Sequence, residues 1–208
     1  LGDSPFLSAC YYNKNIEVLI IISSYFPTMW SQNIPEVEGK ILDIDFESVS
    51  QKIRELWGKQ IFDGILKAQW FQNTNWEKLR VRQEWEKVVV EHKRKIEGTE
   101  WVKSYQETGF EAKDFQSVVD TLLAVWMTSA GLPSVKRRTS FLLENQENPE
   151  NNVRFDFDEY SELDGKWGIP MLLEIESSTK ENVLDAAIKL GIDPKKVISY
   201  GPPELITH

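Results

Sequence analysis

From residue 34 to residue 42 charged and apolar residues alternate, with Glu36, Glu38 and Lys40 on one face and Val37 and Ile41 on the other. A period of two is that of a strand. The period then lengthens: Val49, Ile53 and Leu56 recur at helical spacing behind Asp45, a residue suited to cap a helix N-terminus. Strand patterns return near residues 60–71, 78–83, 87–95 and 103–109. A second helix is expected behind Asp114, with Val118, Leu122 and Val125 on its apolar face. Three more strands are expected near residues 134–144, 152–160 and 169–176. The capping box Ser178-Thr179-Lys180-Glu181 then opens a helix that closes at Gly191. Residues 146–152 read as a polar hairpin loop, Asp164-Gly165 as a turn, and the tail with Pro194, Pro202 and Pro203 as an extended surface segment.

An internal repeat organises these elements. Asp45-Phe46-Glu47-Ser48-Val49 is echoed 69 residues later by Asp114-Phe115-Gln116-Ser117-Val118, and the same offset pairs Glu38 with Glu107 and Trp57 with Trp126. Each half reads strand, helix, then several strands. Two such halves close a barrel around a pseudo-twofold axis, and two copies are too few for a solenoid. The fold class expected is α+β.

Half-buried strands usually turn charge outward and aliphatic side chains inward. Here charge recurs at period two on strand after strand: Glu36/Glu38/Lys40, Lys78/Arg80/Arg82, Glu91/Lys93/Lys95, Lys136/Arg138, Arg154/Asp156/Asp158 and Glu174/Glu176. The opposite faces are apolar, as in Leu79/Val81, Phe155/Phe157 and Leu173/Ile175. Helices covering those faces from outside would leave the charges lining a tunnel. The signs also sort, with carboxylate pairs on the first and last strands and cation pairs on the middle ones. Converging Lys and Arg suit a polyphosphate, and the carboxylates would repel it unless a metal lies between.

The totals narrow the chemistry. With 208 residues, 41% of them hydrophobic, the chain has material for one packed domain. A formal charge of −9 argues against a non-specific nucleic-acid binder. The single cysteine, Cys10, and the two histidines, His92 and His208, leave oxygen ligands for any metal. His92 neighbours Lys93, faces the other way and reads as structural. The apolar run Val18-Leu19-Ile20-Ile21-Ile22 is too short to span a bilayer, which takes roughly 20 apolar residues. The chain is therefore expected to be soluble and cytoplasmic, with no nucleic-acid or membrane partner, as a monomer or homodimer.

Glu36-Val37-Glu38-Gly39-Lys40 resembles the ExExK strand of the CYTH family, named for class IV adenylate cyclase and thiamine triphosphatase, within the triphosphate tunnel metalloenzymes. Leu79-Arg80-Val81-Arg82 resembles the family's LRxR strand, and the segment ending at Lys93 its following strand. Lys136-Arg137-Arg138 resembles a K-x-R strand, followed by Phe141 where an aromatic is common. Asp156-Phe157-Asp158-Glu159 resembles a late acidic strand, and Glu174-Ile175-Glu176 the final ExE strand. The order agrees, and the likeness runs from about residue 34 to residue 191.

The resemblance implies an eight-stranded antiparallel barrel with flanking helices. It implies triphosphate contacts from Lys40, Arg80, Arg82, Lys93, Lys136 and Arg138. Mg2+ or Mn2+ would lie among Glu36, Glu38, Asp156 or Asp158, Glu174 and Glu176, with Glu36, Glu38 and Lys40 as the catalytic set. Glu107 lies where the family often keeps a tunnel carboxylate. The expected substrate is a small-molecule triphosphate. Metal-dependent hydrolysis is the favoured activity, a class IV-type adenylate cyclase is the alternative, and a non-catalytic polyphosphate- or nucleotide-binding module the third reading. Trp70-Phe71-Gln72 departs from the cyclases' Tyr-Phe-Asp, and Lys195 and Lys196 are substitutes for a lysine that some members carry in a C-terminal helix.

Two further expectations concern the sequence itself. The first methionine is Met29, and residues 1–28, without clear period, read as a non-native or disordered extension to a domain at 29–208. Several tryptophans also sit where a turn favours glycine: Trp57, Trp76, Trp85, Trp101, Trp126 and Trp167. Some of these read as UGA codons that the source translates as glycine.

Overall fold

The structure, a computed structural model, describes residues 29–31, 36–73, 78–98, 102–125, 127–130, 133–160 and 171–199. The expectations for residues 1–28, for the Asp164-Gly165 turn and for Trp76, Trp101, Trp126 and Trp167 lie outside them.

Ten strands and three helices follow one another as β1 (Met29–Ser31), β2 (Glu36–Leu42), α1 (Phe46–Glu55), β3 (Lys59–Gln72), β4 (Lys78–Glu84), β5 (Lys87–Gly98), β6 (Lys103–Ala112), α2 (Phe115–Ala124), β7 (Thr128–Ser129), β8 (Ser134–Leu143), β9 (Val153–Glu159), β10 (Leu172–Ser177) and α3 (Lys180–Lys189). Eight strands pair antiparallel in the order β6-β2-β10-β9-β8-β3-β4-β5, and β5 pairs back to β6 to close the barrel. The short strands β1 and β7 extend it along β6 and β3. The expected eight-stranded α+β barrel is thus present, and the order strand, helix, strand recurs in β2-α1-β3 and β6-α2-β7.

Period two divides each strand between two environments. Outward residues Val37, Ile41, Phe141, Phe155, Phe157, Leu173 and Ile175 form one buried core with Val49 and Ile53 of α1 and Val183, Ala187 and Leu190 of α3. A second core joins Phe71, Val81, Val88, Val90 and Phe110 to Phe115, Val119 and Leu122 of α2. Apolar area is therefore removed from water on the outside of the sheet, by helices, and the charged face is left to the inside.

Three local expectations are corrected. The buried face of α2 is Phe115, Val119 and Leu122, whereas Val118 is only partly buried and Val125 is 43% exposed. The core accepts the aromatic ring at the first helical position, which turns the helix by one residue. The α3 cap is Thr179, accepting from Asn182 N at 3.2 Å, one residue later than the capping box predicted, and Ser178 instead bonds Asn151. Finally, the segment after α3 does not simply trail over the surface. A 3-10 turn, Pro194–Lys196, delivers buried Val197 to the core, and Ile198 exchanges two 2.8 Å backbone bonds with Lys40. Gly39 makes room for this return, because a Cβ there would sit 2.6 Å from Val197 Cγ1.

Helix ends α1 and α3 share one geometry. Gly58 N donates to Ile53 O at 2.8 Å and Trp57 N to Arg54 O at 2.9 Å, while Ile192 N donates to Ala187 O at 3.0 Å and Gly191 N to Ile188 O at 2.8 Å. This hydrogen-bond pair places the residue after the cap in the left-handed region. Gly191 occupies it with φ 74°, and Trp57 with φ 68° and 85% of its surface exposed. A side chain there costs roughly 1–2 kcal/mol. Trp57→Gly is expected to stabilise the protein by about 1 kcal/mol, raising Tm by roughly 2–4 °C in thermal unfolding; an unchanged or lower Tm would contradict the strain.

Candidate active site

The inward face of the barrel carries the charge. The consecutive strands β9 and β10 lie beside β2, which is distant in sequence, with Lys40 opposite Glu174, Glu38 opposite Glu176, and Glu174 opposite Asp156. They make an acidic wall. Lys136 and Arg138 on β8 and Arg80 and Arg82 on β4 form basic walls on either side of β3. The inward residues of β3 are apolar: Phe62, Leu66 and Ala68 are buried but belong to neither flanking core, as does Val89 on β5.

Lys40, Arg80, Arg82, Lys136, Arg138 and Arg154 are each held by carboxylates. Lys40 Nζ lies 2.8 Å from Glu38 and 2.6 Å from Glu174. Arg138 sets its fork on Asp158 (Nε–Oδ1 2.6 Å, Nη2–Oδ2 2.7 Å), reaches Glu174 at 3.0 Å and also pairs with Asp156. Lys136 pairs with Asp158. Arg154 Nε is 2.8 Å from Asp156. Arg80 donates to Glu91 at 2.7 Å from Nε, and Arg82 Nη2 is 2.7 Å from the other Glu91 oxygen. Unpaired, a buried charge costs several kcal/mol, so these pairs are a condition of the charged interior.

The pairing sets protonation. Burial alone would push the Lys40 ammonium down, but Glu174 and Glu38 outweigh it and hold its pKa above the usual lysine range. Burial and the neighbouring Arg138 push Lys136 down, against Asp158 and Glu174. Asp156 is held below the ordinary carboxylate range because Arg138 and Arg154 overcome its burial. Glu176 goes the other way: burial, then Glu36, Asp156 and Glu174, raise it well above that range.

Two groups of carboxylates suit a metal ion. Oxygens of Glu36, Glu38 and Glu176 lie within 4.8 Å of one another, and so do those of Asp156, Glu174 and Glu176. Oxygen-only donors of this kind fit a hard divalent cation. Asp158 stands apart from both groups, engaged by Lys136 and Arg138. Of the two aspartates that sequence left open, Asp156 lies in a carboxylate cluster and Asp158 does not.

The structure thus brings together Glu36, Glu38, Lys40, Lys136, Arg138, Asp156, Asp158, Glu174 and Glu176, with Arg80 and Arg82 on the β4 wall. Lys93 lies on β5 opposite Glu107, and its side chain is outside the described residues. Glu107, found through the repeat, is buried. Lys195 and Lys196 are exposed on the 3-10 turn, so neither supplies the extra lysine. Sequence reasoning placed Glu91 and Arg154 on charged faces without giving them a role. Glu91 is fully buried against two arginines, and its place two residues before Lys93 was the available signal.

No family model matches the sequence, and no curated protein matches it. Solved structures do. PH1012 from Pyrococcus horikoshii OT3 superposes with a TM-score of 0.63 at 21% identity, over 82% of this chain and 99% of that one. A candidate adenylate cyclase from Vibrio parahaemolyticus gives 0.61 at 14%, over 85% and 100%. HpAC1 from Hippeastrum, a candidate adenylyl cyclase described with a dominant triphosphatase activity, gives 0.50 at 16%, over 80% and 91%. The chain shares the fold of these structures, an antiparallel β-barrel with flanking helices. No described helix is long and apolar enough to cross a membrane.

In the metal-free tunnel, folded protein retains a proton on Glu176 at pH values where the unfolded chain has lost it. The folded state then binds more protons, so its stability falls as pH rises from the ordinary carboxylate range toward the raised value of Glu176. Thermal unfolding in chelator between about pH 5 and about pH 8 is expected to show this decline, flattened in Glu176→Gln. Identical profiles for the two proteins would show that Glu176 does not carry it.

Proposed function

We propose that this chain is a divalent-metal-dependent hydrolase of triphosphates, taking inorganic, nucleoside or thiamine triphosphate. The observation that carries the reading is the sorted tunnel: basic walls face a carboxylate wall whose oxygens cluster within 4.8 Å in two overlapping sets. A module that only bound anions would gain nothing from those carboxylates. Buried Arg82 Nε also has no hydrogen-bond partner among the described residues, a donor that a phosphate oxygen would satisfy.

In this reading Arg80, Arg82, Lys93, Lys136, Arg138 and Lys40 grip the phosphoryl oxygens, the arginines as planar forks and the lysines as point charges. Glu36, Glu38 and Glu176, with Asp156 and Glu174, would hold Mg2+ or Mn2+. When bound, such a cation offsets the charge on the phosphate oxygens and polarises the terminal phosphorus. Lys40, fixed between Glu38 and Glu174, orients both carboxylates toward the tunnel and remains charged against the substrate. Water attacks the terminal phosphorus, the bond from that phosphorus to the bridging oxygen breaks, the diphosphate part leaves with the electron pair, and orthophosphate forms as the water's proton passes to solvent.

The cyclase alternative would use the same walls, with a ribose hydroxyl attacking the α-phosphorus and pyrophosphate leaving. A tunnel fold shared with cyclase candidates keeps it in view. Trp70, opposite Arg80 with its ring 5.3 Å from the guanidinium carbon, stands where the cyclases resembled here carry Tyr.

Tripolyphosphate, ATP and thiamine triphosphate, each with Mg2+ or Mn2+, separate the readings when orthophosphate, pyrophosphate and cyclic AMP are scored. Orthophosphate release that chelator abolishes is expected. Cyclic AMP with pyrophosphate would select the cyclase, and tight binding without turnover the module.

Two substitutions resolve the walls. Glu38→Gln is expected to lower kcat by about a hundredfold with binding largely kept, whereas Arg82→Ala should raise KM by roughly ten- to a hundredfold. Wild-type kinetics in both would remove these residues from the site.

A further inference from the structure

Resting on the triphosphate reading, we propose that Glu91 is the positioning residue for the β4 wall, fixing which edges of Arg80 and Arg82 meet the phosphates. Glu91 is completely buried and sits directly opposite Arg80 across the β4–β5 ladder. One carboxylate oxygen, Oε2, lies 2.7 and 2.6 Å from Nε and Nη2 of Arg80, while Oε1 lies 2.7 Å from Nη2 of Arg82 as an ion pair. A single carboxylate thus ties two guanidinium groups that strand geometry alone would leave free to swing about their long stems. Arg80 commits Nε and Nη2 to Glu91. Arg82, braced by Glu91 and by Glu84 at 3.3 Å, keeps the buried Nε without a hydrogen-bond partner among the described residues. Preorganised forks lose less conformational freedom when the phosphate arrives.

A mere counter-charge makes the opposite forecast. Removing a buried negative charge from beside two arginines strengthens their attraction for a triphosphate, so the KM of Glu91→Gln would fall. If Glu91 positions the arginines, KM for tripolyphosphate rises about tenfold while kcat stays within about threefold. Adding Glu91→Gln to Arg82→Ala then costs less than the two substitutions taken separately. Initial rates on tripolyphosphate with Mn2+ decide this, with Tm measured alongside. Should Glu91→Gln fail to fold, Glu91→Asp keeps the charge but withdraws it by one methylene. A raised KM at native Tm supports positioning, and an unchanged KM overturns it. Wild-type turnover with an unchanged or lowered KM in Glu91→Gln overturns this inference alone. Wild-type protein that neither binds nor hydrolyses tripolyphosphate overturns the reading of the tunnel and this inference with it.

A separate observation carries a second inference: the geometry points to glycine as the residue that the natural chain carries at positions 57 and 85, encoded by UGA codons that the source reads as glycine. Trp57 occupies the left-handed position that Gly191 fills at the matching helix end, and α2 closes with the same bond, Met127 N to Leu122 O at 3.0 Å, beside a third Trp at 126. Trp85 is the first of the two residues between β4 and β5, with φ 51°. Positive φ at that one turn position is the mark of a hairpin turn that takes glycine there. Its ring rests on Phe62 at 4.7 Å and still leaves 62% of the residue exposed. The codons at 57 and 85 are expected to be UGA, and peptides from the source cells to carry glycine. UGG at either position, or tryptophan in those peptides, overturns the inference there.

Discussion

Desolvated charge governs this molecule. Six carboxylates, Glu38, Glu91, Glu107, Asp156, Asp158 and Glu174, are buried together with Lys40 and Arg138. Such groups are tolerated inside a protein only when each is paired, because the desolvation penalty otherwise exceeds the hydrophobic gain from a core of this size. The barrel is the arrangement that allows the pairing. Closure brings an acidic wall and basic walls within ion-pair distance.

The inverted strands follow from the same constraint. A charged interior contributes no hydrophobic driving force, so the fold draws its apolar burial from outside the sheet, where α1 and α3 cover one side and α2 another. The return of the chain at Val197 and Ile198 belongs to this scheme: it covers β2 and pins the backbone of Lys40 with two hydrogen bonds. Packing outside the barrel thereby fixes the height at which a catalytic candidate meets its partners within it.

Ion pairing in the free tunnel also bears on what a ligand must do. Arg138, Lys136 and Lys40 are each engaged by carboxylates, so a triphosphate would enter by sharing or displacing those contacts. Cations held among Glu36, Glu38, Asp156, Glu174 and Glu176 would draw those carboxylates away from the lysines and arginines. Metal and substrate binding are therefore expected to support one another through the same side chains.

Much of this was legible in the residue pattern. Period two fixed which residues share a face, and the Asp45 and Asp114 caps fixed where two helices begin, because both are local properties of the backbone. The turn of α2 about its axis and the Thr179 cap were missed, since neighbouring candidates were locally equivalent and packing chose between them. Which side of a charged strand faces inward was likewise undetermined by alternation, which reads the same in a solvated sheet.

By itself, the sequence determined the eight barrel strands, the three helices, the repeat and the list of charged residues at alternate positions, but not the short strands β1 and β7. Only the tertiary structure decided that β2, β9 and β10 stand adjacent, that Asp156 joins the carboxylate cluster while Asp158 serves Lys136 and Arg138, and that Glu91 holds two arginines. The reason is physical. Spacing along a chain sets the face of a side chain, but its charge partners are set by register between strands distant in sequence, and that register exists only once the barrel has closed.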